Sequence, residues 1–352
     1  MTDGIFRQLL RRPAGLTVLV VLGLFYLIAV FADFLAPYSV TDQDLRSTFH
    51  PPTALFIEDG RLHVQRYEMH DGENDNAGYR KVPGEGSPIS FFAEGRDYRL
   101  LGLVPMNRHL FVVEGPDRLY LMGSDQVGRD IYSRLLHGTR ISLSIGLIGI
   151  AISMCIGFIV GGLAGYFGGV LDNTAMRVTE FLMAIPGLYL LLALRGAFAE
   201  DFTPTQMFFL IVFILSFIGW SGTARIIRGM TLSLRNRQFV LAAEVMGQSS
   251  WKILWIHVLP NVFSYLIVAA TISIPGYILG EAALSFLGLG IQDPSVSWGL
   301  MLSQAQNPQV FMEGYWWFLV PGLAIFVTVI SFNVLGDVLR DIVDPKQKFL
   351  RT

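Results

Sequence analysis

Five long runs without Asp, Glu, Lys or Arg dictate what this chain can fold into: residues 13–32, 141–163, 207–224, 262–280 and 315–336. At about 1.5 Å of rise per residue, twenty helical residues span roughly 30 Å, the thickness of a bilayer core. A sixth run, 181–194, is shorter and lies between Arg177 and Glu180 on one side and Arg195 on the other. With 52% hydrophobic and 15% charged residues, the chain is too apolar for an ordinary soluble protein. The predicted fold class is an all-α polytopic membrane protein with six transmembrane helices. Arg7, Arg11 and Arg12 precede the first run. A cleaved signal peptide shares that charged start but has a shorter apolar core, so the first run is read as a retained helix. Pro275 is expected to break the fifth crossing, and the Trp316-Trp317 pair suits a membrane interface.

Composition removes several classes of function. A net charge of −2 gives no global field for nucleic acid. The single cysteine, Cys155, excludes an intrachain disulfide and is read as a packing residue. Zinc-ligand spacing is absent, and no GxxxxGK[ST] loop occurs, so the chain cannot hydrolyse ATP by that route. A membrane-embedded enzyme or an ion-coupled carrier needs ionisable groups inside the bilayer, and the six runs are nearly free of Asp, Glu, His and Lys.

Orientation follows from the basic residues. Six crossings place both termini on one side, and that side's segments hold thirteen of the 26 lysines and arginines, against Arg195 alone in the short opposite loops. The rest lie in the long first loop, which the positive-inside rule exempts. Both termini and the loop before the fifth crossing are therefore predicted to be cytoplasmic.

Residues 37–140 form the long external segment. Pro51-Pro52, Asp71-Gly72, Gly84, Gly86, Gly95, Gly102 and Gly115-Pro116 punctuate it. The intervening runs 62–67, 98–104 and 110–114 read as strands of a small β-rich insertion between helices 1 and 2. Without a disulfide or metal site such a unit is marginal alone, so it is expected to lean on the membrane helices or a partner. Residues 68–81 are polar enough to read as a mobile loop.

The chemistry-bearing motif is a polar island, FVLAAEVMGQSSWKILWIHVLPN at 239–261. It reads as a short helix, a glycine, a second short helix and a proline that starts or kinks the next crossing. Ala242 and Ala243 offer a smooth surface that a partner's groove can clasp, and Gly247 can adopt the backbone angles that end a helix. The spacing resembles the coupling loop by which ABC importer permeases dock onto their ATPase subunits. Its full pattern is Glu-Ala-Ala, three residues, Gly, nine residues, Ile, one residue, Leu-Pro. Here the Ala-Ala, Gly and Leu-Pro positions match, while Leu241 occupies the Glu slot and His257 the Ile slot.

Further signatures resemble the same family. Gly123, Asp125, Gly128, Arg129, Asp130, Ser133, Arg134, Gly138 and Arg140 follow the array that precedes helix 2 in peptide-type permeases, with Ser124 replacing a threonine. On physics alone this stretch reads as a turn and a short amphipathic helix at the outer surface, with Arg129 and Asp130 free to pair with the permease core or a docking protein. GEAALSFLGLGIQDPSVSWG carries Glu281 and Ser285 at the outer end of helix 5. Asn333, Asp337, Arg340, Asp341 and Asp344-Pro345 match a C-terminal pattern whose charges suit ion pairing with the permease body. Asp172, Arg177 and Glu180 read as one structural ion-pair network, and Arg225 and Arg228 as anchors of a helix end.

The chain is thus identified as resembling the second, C-type, permease of peptide-type (oligopeptide, dipeptide or nickel) ABC importers. The resemblance implies the six-helix type I importer permease fold in a bacterial inner membrane. It divides the chain into a cytoplasmic N-terminus with helix 1 (1–36), the external insertion (37–140), a transmembrane core (141–338) with a coupling loop at 229–261, and a cytoplasmic tail (339–352). It implies Ala242, Ala243, Glu244, Gly247, Leu259 and Pro260 as ATPase-coupling residues, with Glu281 and Ser285 as candidates for the translocation path. It implies no cofactor, metal or catalytic residue in this chain, with ATP and Mg bound by partner ATPase subunits. The implied partners are a homologous permease, two ATPases and an external substrate-binding protein. Peptides are the default cargo, and oligosaccharides, opine-like compounds or nickel are the alternatives.

Overall fold

The computed structural model describes residues 2–70, 78–198 and 202–343. Helices α1 (Thr2–Arg11) and α2 (Pro13–Leu35) open the chain. Six strands follow: β1 (Leu55–Glu58), β2 (Arg61–His70), β3 (Gly78–Phe91), β4 (Glu94–Leu100), β5 (Val104–Arg108) and β6 (Phe111–Val113). Then come α3 (Ile131–Phe167), α4 (Gly169–Ala184), α5 (Gly187–Phe198), α6 (Pro204–Arg235), α7 (Gln238–Val245) and α8 (Ser250–Ile253). A π turn (Leu254–Val258) leads into α9 (Leu259–Phe286), and α10 (Trp298–Ser303), α11 (Pro308–Met312) and α12 (Val320–Val343) complete the fold.

Among the described residues, five helical stretches are long and apolar enough to cross a membrane: Pro13–Leu35, Ile131–Phe167, Pro204–Arg235, Ser250–Phe286 and Trp316–Val343. The 181–194 run is covered by two shorter helices. Pro186 offers no N–H and drives Ile185 out of the helical region to φ −80°, ψ 119°, so α4 ends there and α5 begins anew. Pro275, by contrast, does not break its crossing, and α9 continues through it.

The chain forms two compact units. One comprises Met1–Leu22, Ser144–Glu281 and Val327–Thr352. Glycines let its helices approach closely: a Cβ at Gly157, Gly161 or Gly165 of α3 would collide with Thr223, Ala224 or Arg228 of α6. A Cβ at Gly149 would likewise collide with Tyr277 of α9, and one at Gly146 would press tightly on Ile274 and Ile278. In lipid, where apolar surface alone does not drive association, such backbone proximity supplies the attraction. The small-residue stripe stops before Gly169, which instead takes φ 61° to open α4. Leu9 of α1 is buried with Val338, Leu339 and Ile342 of α12, and Arg12 reaches Asp341 at 3.3 Å. Cys155 is exposed on α3 rather than packed, since the helix turns that face outward.

The other unit comprises Gly23–Leu143 and Ala282–Phe326. Its four-stranded antiparallel sheet has the order β1-β2-β3-β6, and β4-β5 is a separate hairpin. Val64, Ile89, Phe111 and Leu119 form the sheet's core, and Tyr132 of α3 packs against them. Tyr132 also contacts the cluster of Ala32, Ala36 and Leu136, and the Leu110 N–H donates to the Phe34 carbonyl at 2.9 Å. The insertion therefore leans on α2 and α3, as its size requires. The 62–67 and 110–114 runs fall on β2 and β6. The 98–104 run is instead the two arms and turn of the β4-β5 hairpin, because Leu101 and Gly102 take φ of 52° and 75°. In the 68–81 stretch the strands persist to His70 and resume at Gly78, and residues 71–77 lie outside the described residues.

The polar pattern of 123–140 misled the sequence reading in one respect. No separate surface helix forms; after a turn, α3 runs unbroken from Ile131. Its polar residues Ser133, Arg134 and Thr139 are buried, not solvated. Trp317 likewise leaves the interface role to the exposed Trp316, since its ring is buried and its Nε1–H donates to the Ser124 carbonyl at 3.1 Å.

Candidate functional site

The 239–261 loop is held by its own caps. Helix α7 ends in a pair of bonds, Gly247 N–H to the Glu244 carbonyl at 2.9 Å and Gln248 N–H to the Ala243 carbonyl at 3.1 Å. This is the Schellman arrangement, and it places Gly247 at φ 74°, where a side chain is strained. Ser249 caps α8 by accepting the Lys252 N–H. Pro260, with no N–H for the Ile256 carbonyl, sits at the second position of α9. The preceding backbone widens into the π turn, in which the Leu259 N–H reaches Leu254.

Burial divides the site residues. Ala243 is completely buried with Val240 and Ile253, against Tyr166 of α3. Ala242, Glu244, Gly247 and Pro260 are exposed, and Leu259 is half-buried. Leu241 and Val245, one turn apart, share the exposed face of α7 with Ala242; Val245 is 89% exposed and Met246 70%. That face carries no charge. Glu244 accepts the Tyr166 hydroxyl at 2.6 Å, and His257 Nε2 lies 3.1 Å from Gln248 Oε1. The His257 departure from the family pattern therefore ties the second half of the loop to the residue after Gly247. Tyr166 escaped the sequence reading because its partners are distant in the chain.

Ion pairing near this end differs from the expected network. Arg228 grips Asp172 with both Nε and an Nη, whereas Arg177 and Glu180 form their own exposed pair at 2.8 Å. Arg228 thus holds α4 to α6 rather than merely anchoring a helix end.

Glu281 is fully buried within the chain. Ser285 is also fully buried; its hydroxyl accepts the Ile291 N–H at 3.0 Å and lies 3.5 Å from the Ser297 hydroxyl. A polar node missed by the sequence reading joins three helices: Ser153 of α3 bonds the Tyr277 hydroxyl of α9 and donates to the Ser216 carbonyl of α6 at 3.0 Å.

The 123–134 array builds a buried ionic cluster. Asp125 accepts the Val127 and Arg129 N–H groups, both at 3.0 Å, and the Arg129 Nε–H at 2.7 Å. Arg129 and Arg134 both donate to Asp293, at 2.9 and 3.2 Å. Both arginines therefore pair inside the permease, although Arg134 Nε is buried with no hydrogen-bond partner among the described residues. Asp130 caps α3 through the N–H and hydroxyl of Ser133, and burial pushes its carboxyl up to about 6. Among the described residues no group of three or more His, Cys, Asp or Glu could hold a metal ion.

Residues 157–349 match the family of the binding-protein-dependent transport system inner membrane component, and residues 2–52 match the N-terminal transmembrane domain of oligopeptide transport permease C. The chain belongs to the family of binding-protein-dependent transport system inner membrane components. The dipeptide transport system permease protein of Bacillus subtilis (strain 168) is 39% identical over 232 residues, 66% of this chain and 70% of that one. The glutathione transport system permease protein of Pectobacterium atrosepticum is 41% identical over 235 residues, 67% of this chain and 75% of that one. The oligopeptide transport system permease protein of Haemophilus influenzae is 39% identical over 259 residues, 73% of this chain and 78% of that one. A solved chain of an inward-facing methionine ABC transporter overlaps with a TM-score of 0.44 at 18% identity, across 60% of this chain and 97% of that one. The protein is thus a multi-pass permease subunit of an ABC importer, a transport component that works with ATPase and substrate-binding partners.

Proposed function

We propose that this permease imports peptides, pairing with a homologous permease and two ATPase subunits that bind ATP and Mg on the cytoplasmic side, where both termini also lie. The similarity to dipeptide, oligopeptide and glutathione permeases favours a peptide cargo. The observation that carries the coupling role is the uncharged exposed face of α7, closed by a Schellman turn and buttressed from behind by Ala243 and Tyr166. A force applied to that face reaches α3 through Tyr166, α6 through the short Asn236-Arg237 link, and α9 through the π turn. ATP-driven closure of the ATPases would then rock the helices between inward- and outward-open states. Ala242 and Gly247 present the surface and Glu244, bonded to Tyr166, flanks it, while Ala243, Leu259 and Pro260 set its angle. Glu281 and Ser285 are path residues on this reading, and their burial means that cargo meets them only in another conformation.

The test is ATP-driven uptake of labelled di- and tripeptides by proteoliposomes holding the complete importer. Uptake that requires the binding protein and is lost in Gly247→Arg with assembly intact is the expected result. Uptake of a sugar or of nickel in place of peptide would overturn the cargo assignment.

A further inference from the structure

The β4-β5 hairpin carries an apolar tip that the transport reading does not use. Its two strands share no ladder with the four-stranded sheet, and a lone two-stranded hairpin is marginal in water. Leu101, Gly102 and Leu103 link the strands in a turn closed by Gly102 N–H to Arg99 O at 2.9 Å and Leu103 N–H to Leu100 O at 3.0 Å. Leu101 and Gly102, the central pair of the turn from Leu100 to Leu103, both take positive φ, which favours Asn-Gly or Asp-Gly there. Leucine is a poor choice for that angle. Here it is also 49% exposed, next to Leu103 at 80% and Val104 at 54%. In water the tip is unfavourable twice over, by backbone angle and by unburied apolar surface.

Its surroundings supply the missing environment. Leu100 and Met106 line a groove of about 520 Å³ with Leu24, Leu27, Phe31 and Phe34 of α2, and no polar side chain contributes to its wall. Helix α2 crosses the membrane, and Leu24, Leu27 and Phe31 are exposed on it, so the groove is continuous with a surface that meets acyl chains. Leu24 lies about 16 Å along the helix from its Leu35 end, roughly half a bilayer core. Behind the tip, Arg96, Arg99 and Arg108 are exposed on the strands, and arginines at that level suit lipid phosphates.

We propose that the tip, residues 100–104, enters the bilayer leaflet reached by the Leu35 end of α2, with phospholipid acyl chains filling the groove. The insertion is then a membrane-anchored subdomain rather than a freely solvated one, whatever cargo the importer carries.

The test places a nitroxide on Leu103→Cys in a Cys155→Ser background, in the complete importer reconstituted into phospholipid vesicles. Val104→Cys gives a second label position, Leu27→Cys the lipid control and Glu58→Cys the aqueous control. Collisions with oxygen are expected to exceed those with a water-soluble nickel chelate several-fold, as at Leu27→Cys. Chelate access equal to that at Glu58→Cys overturns the proposal. Low access to both reagents also overturns it, because a protein partner would then cover the tip.

Discussion

Ala242 and Ala243 are neighbours in sequence with opposite fates: the Ala243 methyl is completely buried against Val240, Ile253 and Tyr166, while Ala242 is exposed. One alanine is small so that the loop can lie close to α3, and the other so that the outer face stays smooth. The two should respond differently to enlargement. Ala243→Leu overpacks a filled site and is expected to lower stability by about 1–3 kcal/mol. Ala242→Leu should leave thermal unfolding unchanged and instead reduce co-purification of the ATPase subunits. Equal thermal shifts in the two variants would contradict the division.

Gly247 has open space around it but a φ of 74°. Gly247→Ala adds no clash, so its cost is the left-handed angle alone, roughly 1–2 kcal/mol. Gly247→Arg adds a charge to the uncharged face and should abolish uptake. Membrane insertion, read by protease protection, should persist in both. Uptake at the normal rate in Gly247→Arg would remove the loop from the coupling path.

Asp125 and Arg129 are both buried, at 0% and 7% side-chain exposure. Removing Asp125 takes the partner from Arg129 Nε and the acceptor from two backbone N–H groups, and leaves Asp293 as the one carboxylate serving both Arg129 and Arg134. Breaking a buried pair costs about 3–5 kcal/mol. Asp125→Ala is therefore expected to abolish accumulation of folded permease, whereas Arg177→Ala, which breaks an exposed pair, should leave it unaltered. Size-exclusion profiles of the two detergent-solubilised variants give the comparison.

Asp130 has its carboxyl raised by burial from 3.8 to about 6. The folded state prefers the protonated form, so this group's contribution is most favourable below pH 3.8 and is lost as pH rises through about 6. Asp130→Asn mimics the protonated form and keeps an acceptor for Ser133. Its melting temperature should exceed the parent's at pH 7.5, with the gap closing toward pH 4. A gap independent of pH would show that the carboxyl does not titrate in this range.

The Arg228–Asp172 pair links α6 to α4 through two parallel contacts. Arg228→Lys keeps the charge but loses the fork that matches a carboxylate. Thermal stability is expected to fall in Arg228→Lys nearly as far as in Arg228→Ala. Full recovery with lysine would show that charge alone suffices.

Much of the architecture was legible in the residues. Uncharged apolar runs of about twenty residues read as spanning helices, and five of them lie in helices long and apolar enough to cross a membrane. The 239–261 loop was legible because a Gly at a helix end and a Leu-Pro start carry local backbone rules. Its helix, glycine, helix and proline order is the one observed. The 181–194 run failed as a single helix because Pro186 outweighed its hydropathy. Polar periodicity in 123–140 suggested a surface helix, but those side chains find ionic partners in Asp293, some 160 residues away, and are buried.

The sequence by itself determined what is local: which segments suit lipid, where helices start and stop, and which family pattern the chain follows. Only the tertiary structure decided which alanine faces inward, which two arginines Asp293 pairs with, and that Leu101-Gly102 turns an expected strand into an apolar-tipped hairpin. Local rules act through backbone angles and hydropathy within a few residues. Burial and ion pairing depend on groups that folding alone brings together.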